Sequence, residues 1–333
     1  MPPTPLTPSR AENALARVGY LGPEGTFSEE ALLASVRPGA VQLAPQDTIH
    51  DAVMAVQEGA ARWSLVPIEN SIEGSVTATL DALAREAPDV AIVGELVLAV
   101  RQCLIAVAQI ELTQIETVVS HPQATAQCAQ FLREQLPQAR VLAATSTAEA
   151  VRRVAEAGHS DWAALGPRLA AERYGCVVLR AGVEDRADNE TRFVWLGRVD
   201  DAERPPLRDG RGGVGDAAPG EGAPDAAGEG VADAAGDGVA DARRAGALKT
   251  SLLFWGPGAD GPGWLVACLA EFAQRDVNLN RIESRPQRER LGRYVFFVDL
   301  DGGIDEAAVG EAVAGLREHC REVRVLGSYP AAG

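Results

Sequence analysis

Short apolar runs alternate along this chain with longer segments in which apolar residues recur every three or four positions, the pattern of an α/β architecture with a largely parallel sheet. Residues 17–21 read as a strand. Gly22-Pro23-Glu24-Gly25 then turns the chain into a helix starting near Thr26, with Glu29 and Glu30 in its first turn. A strand is expected at 41–43, and a helix at 49–57 whose Ile49, Val53 and Val56 share one face. The strand at 63–68 ends in a polar junction running from Glu69 to Val76. Open α/β sheets place ligands at such carboxyl ends of strands.

The apolar run 90–107 reads as a strand crossing from one lobe into another. Beyond it the alternation resumes: a strand at 117–119, a helix after Ser120-His121-Pro122-Gln123, a strand near Val141, a helix over 146–156, and strands at 162–165 and 177–179. Asp188-Asn189-Glu190-Thr191-Arg192-Phe193 then leads into an apolar strand that returns to the first lobe. Lobe 1 is therefore expected at about 17–98 and 188–199, and lobe 2 at about 99–187. Two lobes joined by two crossings form a hinged cleft, the layout of a periplasmic-binding-protein-like fold.

The remaining segments differ in kind. Residues 1–16 are expected to be a disordered tail. Residues 200–246 are dominated by Ala, Gly, Asp and Glu and contain a tandem octad beginning at Asp225 and again at Asp233. With so few large apolar side chains this stretch cannot offset its ordering entropy, so a flexible acidic linker is expected. From 247 to 330 the pattern reads strand 250–255, helix 263–274, strands 277–284 and 293–299, helix 305–318 and strand 323–326. That order, βαββαβ, is the ferredoxin-like split unit.

Composition narrows the function classes. At 333 residues the chain needs more than one ordinary core. Its net charge of -16 argues against a nucleic-acid partner. The five cysteines are scattered, with no C-x-x-C pair, and read as reduced thiols. The Pro- and Thr-rich opening lacks the apolar core of a secretory signal, and no apolar stretch is long enough to span a bilayer, so the cytoplasm is the expected location and no membrane partner is expected.

Three junctions place polar groups where helices are expected to begin: Thr26 to Ser28, Asn70 to Ser75, and Ser120 to Gln123. Free backbone N–H groups and the helix dipole make each a potential carboxylate site without Lys or Arg. Singly, Ser or Thr before a helix is most often a cap. Recurrence at three junctions, together with Thr191-Arg192, points to one cleft that binds a small anion. The H-E-x-x-H, G-x-S-x-G and G-x-x-x-x-G-K-[ST] motifs are absent, which sets aside zincin, α/β-hydrolase and P-loop chemistry. Hydroxyls, amides and one Arg suit a reaction that needs positioning and a hydrogen-bond donor for a leaving group, a role open to Thr191.

At these residues the sequence resembles the prephenate dehydratases. Gly19-Tyr20-Leu21-Gly22-Pro23-Glu24-Gly25-Thr26-Phe27-Ser28 resembles the family's opening motif, and Val66-Pro67-Ile68-Glu69-Asn70-Ser71 with Gly74-Ser75-Val76 its second. Ser120-His121-Pro122-Gln123-Ala124 through Gln127-Cys128 resembles the third, and Thr191-Arg192-Phe193 the signature triplet. The resemblance implies Thr191 as the main catalytic residue and a substrate site drawn from Thr26, Ser28, Glu69, Asn70, Ser71, Gly74, Ser75, Ser120, Gln123, Ala124, Gln127, Arg192 and Phe193. It implies prephenate as substrate and no metal or organic cofactor.

The C-terminal unit resembles the ACT regulatory domain of the same enzymes. Glu283-Ser284-Arg285-Pro286 matches the E-S-R-P element, and Gly263-Trp264-Leu265 stands at the G-A-L element with Trp where Ala is usual. The resemblance implies phenylalanine as effector at these residues and a homo-oligomer, dimer or tetramer. Arogenate dehydratase and a non-catalytic amino-acid- or solute-sensing module are the competing readings. A prephenate decarboxylase-like enzyme is disfavoured because those lack the threonine.

Overall fold

The structure, a computed structural model, describes residues 15–208, 247–257, 262–288 and 291–332. The expectations for the N-terminal tail and for the octads therefore lie outside the described residues, except at Ala16, which is the first residue of a strand.

Lobe 1 opens with β1 (Ala16–Leu21), α1 (Phe27–Ser35), β2 (Val41–Gln46), α2 (Ile49–Gln57), β3 (Trp63–Asn70), the short β4 (Gly74–Ser75), α3 (Thr77–Arg85) and β5 (Val90–Ala99). Thr26 and Thr48 start α1 and α2 in extended conformation, each side chain accepting an N–H from the helix's first turn. The polar junction after β3 does not open directly into a helix: the chain first pairs back on β3 as β4, and α3 begins only at Thr77.

The apolar run expected as one crossing strand is two strands in two sheets. β5 stays in lobe 1, with burial alternating residue by residue, and β6 (Cys103–Ala106) starts lobe 2. The second lobe continues with β7 (Thr117–Ser120), α4 (Pro122–Gln127), α5 (Ala129–Gln135), β8 (Arg140–Ala143), α6 (Thr147–Ala157), β9 (Trp162–Gly166), α7 (Arg168–Tyr174) and β10 (Val177–Ala181). Gly158 and Gly175, both left-handed, end α6 and α7. The chain returns as β11 (Glu190–Arg198), which lies antiparallel between β3 and β5. The lobe 1 sheet thus runs β2-β1-β3-β11-β5 and that of lobe 2 β10-β6-β9-β7-β8. The two crossings meet where Val100 N–H donates to the Asn189 carbonyl at 2.7 Å. This is the two-lobed, periplasmic-binding-protein-like α/β arrangement expected from the sequence.

The pleat of β11 sorts its side chains. Phe193 and Trp195 enter a core with Val18, Tyr20, Leu32 and Leu65 beneath α1. Val194 and Leu196 enter the opposite core, which α2 and α3 share with the C-terminal domain.

That domain is β12 (Leu248–Trp255), α8 (Trp264–Ala273), β13 (Leu279–Pro286), β14 (Tyr294–Asp301), α9 (Ala307–His319) and β15 (Glu322–Pro330), an antiparallel sheet of order β13-β14-β12-β15. Leu252 and Phe254 face its own helices, while Leu253, Phe297, Leu326 and Tyr329 face lobe 1. The approach is close enough for Gly327 to lie against the Ile92 carbonyl. The expected linker does not begin at 200. Leu207 forms a bridge with Val36, and the Arg208 N–H donates to the Ser35 carbonyl at 2.9 Å. The rest of the stretch expected to be a linker, 209–246, lies outside the described residues.

Candidate active site

Thr191 and Asn70 sit opposite each other at the cleft end of β11 and β3. Asn70 Nδ2 lies 2.9 Å from Thr191 Oγ1, 2.9 Å from Asn189 Oδ1 and 3.0 Å from the Glu190 carbonyl. Asn70 Oδ1 accepts the N–H groups of Ile72 and Glu73, both at 3.0 Å. Those two donors fix which way the amide points. The threonine oxygen therefore accepts from Asn70, and its own proton is free to be donated elsewhere.

Asn189, 1% exposed, extends this chain of hydrogen bonds across the hinge, its Nδ2 donating to Gln127 Oε1 of lobe 2 at 3.2 Å. Asn189 stands inside the polar hexad that marks this stretch in the sequence, beside the residues singled out there. Its role depends on the fold bringing Asn70 and Gln127 to either side of it.

A cavity of about 440 Å³ opens between the lobes in front of this pair. Thr26, Ser28, Asn70, Gly74, Ser75, Gln123, Ala124, Gln127, Thr191 and Phe193 line it. So do Gln102, His121 and the segment Thr145, Ser146 and Thr147, which sequence reasoning did not single out as site residues. The last three belong to the start of α6, where Ser146 Oγ caps the Glu149 N–H. The sequence reading began a helix at Ser146, and only the lobe geometry turns its first turn toward the cleft. Among the described residues that line it there is no Lys or Arg, and Glu73 is the one carboxylate. An anion held here would meet hydroxyls, amides and helix-start N–H groups.

Four of the expected substrate contacts lie elsewhere. Ser71 is spent on the hinge, donating to the Asp188 carbonyl and accepting from the Glu190 N–H. Ser120 is fully buried, and its hydroxyl turns to the His121 carbonyl. Glu69 and Arg192 project from the face of the sheet opposite Asn70 and Thr191, because neighbouring residues of a strand alternate sides. There Arg192 Nε donates to Glu69 Oε2 at 3.1 Å, Nη1 to Glu95 Oε2 at 3.1 Å and Nη2 to Asp299 Oδ2 of the C-terminal domain at 2.6 Å.

The expected effector residues fall into two groups. Trp264 turns inward: its Nε1 donates to the His319 carbonyl at 2.7 Å, and its ring packs against Phe254 and Phe296. Gly263 starts α8 in a left-handed conformation, and Leu265 packs against the same core. The other element faces lobe 1, where Glu283 accepts from Ser75 Oγ at 2.9 Å and Arg285 pairs with both oxygens of Asp81 at 3.1 Å. The Pro286 carbonyl accepts from Arg85, while Ser284 pairs with Phe296 in the sheet.

The two lobes also touch beside the cleft. Glu29 is fully buried, accepts the Gly25 N–H and pairs with Arg173 of α7. Oε2 of its neighbour Glu30 is buried without a hydrogen-bond partner among the described residues. Burial, with Glu172 nearby, pushes the Glu30 carboxyl up from 4.5 to about 7. The folded state therefore keeps a proton that the unfolded chain has already released, so this group's contribution is complete below the lower value and is lost as pH rises through the upper one. Glu30→Gln is expected to melt above the parent protein at about pH 8 and level with it at about pH 4. An equal gap at both values in a thermal melt would contradict this.

Comparison with known proteins points the same way as the geometry. The family model for prephenate dehydratase matches residues 18–201. A prephenate dehydratase of Mycobacterium sp. (strain JLS) is 40% identical over 326 residues, covering 95% of this chain and 89% of its own. The crystal structure of a prephenate dehydratase from Arthrobacter aurescens in complex with L-Phe aligns with TM-score 0.74 at 34% identity, covering 95% of this chain and 90% of that one. A structure described as GqqA, a novel type of quorum quenching acylase, aligns with TM-score 0.73 at 27% identity, covering 95% of this chain and 98% of that one. With the match spanning both lobes and the returning strand that carries Thr191, this chain belongs to the prephenate dehydratase family.

Proposed function

We propose that the cavity converts prephenate to phenylpyruvate, a step of phenylalanine biosynthesis. The bond from the ring to its carboxylate breaks and carbon dioxide departs. The electron pair left behind enters the ring, and the hydroxyl at the opposite carbon leaves as hydroxide, which takes a proton from solvent to become water. Aromatisation drives the step, so the protein's tasks are to hold a dianion and to help hydroxide depart. The observation carrying this reading is the Asn70 amide bonded to the Thr191 oxygen at 2.9 Å, which leaves the threonine O–H to form a hydrogen bond to the departing oxygen as it gains charge.

The cavity's size suits a single small ligand, and its mixed lining of apolar side chains with hydroxyls, amides and helix-start N–H groups suits a ring that carries carboxylates. Thr26, Ser28, Asn70, Gly74, Ser75, Gln123, Ala124, Gln127 and Phe193 are the proposed substrate contacts, joined by Asn189. Acyl transfer would instead require a nucleophile activated by a base. The Thr191 hydroxyl meets an amide, which favours the dehydratase reading over an acylase.

The C-terminal domain is proposed to be an ACT-type unit that senses phenylalanine, a reading supported by its βαββαβ order and by the L-Phe complex of the Arthrobacter aurescens relative. A homo-oligomer is proposed with it. Val266 and Ile282, 70% and 48% exposed, are apolar side chains that pairing of two copies would cover. A cytoplasmic location completes the reading.

Incubating the full chain separately with prephenate and with arogenate, then following the aromatic product, tests the activity. Phenylpyruvate formation from prephenate is expected. Preference for arogenate would replace the substrate, and turnover of neither would end the enzyme reading. Titrating L-phenylalanine into the same assay is expected to change the rate.

A further inference from the structure

The signature triplet places Arg192 beside Thr191, yet the guanidinium points away from the cleft into a buried ionic cluster between lobe 1 and the C-terminal domain. Its three partners come from three strands: Glu69 of β3, Glu95 of β5 and Asp299 of β14. Lys249 Nζ reaches Glu95 Oε1 at 2.6 Å, and Arg281 lies 3.7 Å from Glu69 and 4.0 Å from Asp299. Three carboxylates are thus matched by three cations. The side chains of Arg192, Glu95 and Asp299 are only 10%, 1% and 5% exposed. From its far side Asp299 is held by Ser251, whose hydroxyl is 2.5 Å from Oδ1 and 2.7 Å from the Tyr329 hydroxyl.

The cluster touches the catalytic strand pair beside an irregularity in its pairing. Arg192 pairs with Glu69 across the ladder in the rung next to Thr191 and Asn70, and the register slips immediately afterwards, between Arg192 and Phe193. A bulge is where a strand re-aims its side chains. A second tie lands on the same corner. Ser75, paired with Glu69 through β4, accepts from Arg281 Nη2 at 2.7 Å and donates to Glu283. Displacing β14 relative to lobe 1 would either strand a buried charge or drag the Arg192 end of β11 along. The first is strongly disfavoured, so the strand follows.

We propose that Arg192 is a positioning residue that makes the placement of Thr191 depend on the C-terminal domain through Asp299. The inference deepens the dehydratase reading and rests on it for its kinetic consequence. A merely adhesive interface would use the same contacts, so the test separates holding the domains together from aiming Thr191.

Asp299→Asn in the full chain removes the carboxylate charge at constant shape. Leu326→Ala weakens the same interface through its apolar core, where Leu326 is 2% exposed, without touching an ion. With prephenate, Asp299→Asn is expected to lower kcat about tenfold or more while KM stays within about threefold. Leu326→Ala is expected to lower Tm with kcat unchanged. Amide hydrogen exchange supplies a readout independent of substrate: exchange at 190–193 accelerates in Asp299→Asn and not in Leu326→Ala. Parental exchange at 190–193 in Asp299→Asn, or kcat losses in both variants that track their Tm losses, would overturn the proposal. Absence of parental turnover would count against the dehydratase assignment alone, because the exchange comparison still decides the coupling.

Discussion

Thr191→Ala is expected to lower prephenate turnover by about a hundredfold to ten-thousandfold, the range over which a positioned proton donor acts. The loss should appear in kcat and in kcat/KM alike, because a hydrogen bond to a departing oxygen strengthens only as that oxygen gains charge. The fold should survive. Thr191 is partly exposed at the cleft, and its side chain gives up one hydrogen bond, from Asn70, worth about 1 kcal/mol. Thr191→Ser keeps the hydroxyl and the Asn70 contact while losing the branched carbon that restricts its rotamer. It should therefore stay within about tenfold of the parent. Steady-state kinetics on the three proteins decide the matter. An alanine variant that turns over prephenate at the parental rate would remove Thr191 from the chemistry.

Gly327→Ala is expected to destabilise the protein by about 3 kcal/mol or more, although the change adds a single methyl group. A side chain at this position in β15 would collide with the carbonyl of Ile92 in β5, main chain that belongs to the interior of lobe 1. Neither strand can yield locally. Leu253, Val295, Phe297, Leu326 and Tyr329 of one domain share a core with Val90, Ile92, Val194 and Leu196 of the other, so the sheets must separate and reopen apolar surface to water. Gly94→Ala, also on β5, is the matched control. Its added carbon meets only Trp195 at 3.7 and 3.8 Å, ordinary contact distances, and should cost less than about 1 kcal/mol. Denaturant unfolding of both variants reads the difference directly. Equal midpoints would show that the two domains do not approach as closely as Gly327 indicates.

Period and punctuation made most of the elements legible in the sequence. The helix over 49–57 appears with the bounds read from its apolar face, and Thr26 and Ser146 cap helices where small hydroxyl residues precede apolar periodicity. The apolar run 90–107 was less readable. Hydropathy does not distinguish one long strand from two strands joined at a hinge, and here Val100 to Gln102 pass between sheets. That the chain is still docked at 206–208 was missed for a related reason. Pro206 to Arg208 look like the polar stretch that follows them, yet their backbone docks on Ser35 to Arg37.

The candidate site divides along the same line. The order of polar and apolar residues determined that helices begin near Thr26 and Ser146, and that a strand carrying Thr191 returns to the first lobe. Such information is local, stored in spacing and in caps that satisfy the N–H groups of a first turn. Which of two adjacent residues faces the cleft was decided by the fold. The pleat sends Thr191 to the cleft and Arg192 to Asp299, and Asn70 to the threonine while Glu69 joins the arginine. A strand alternates its faces whatever its sequence, and only the layers packed on either side determine that one face meets a cavity and the other a second domain.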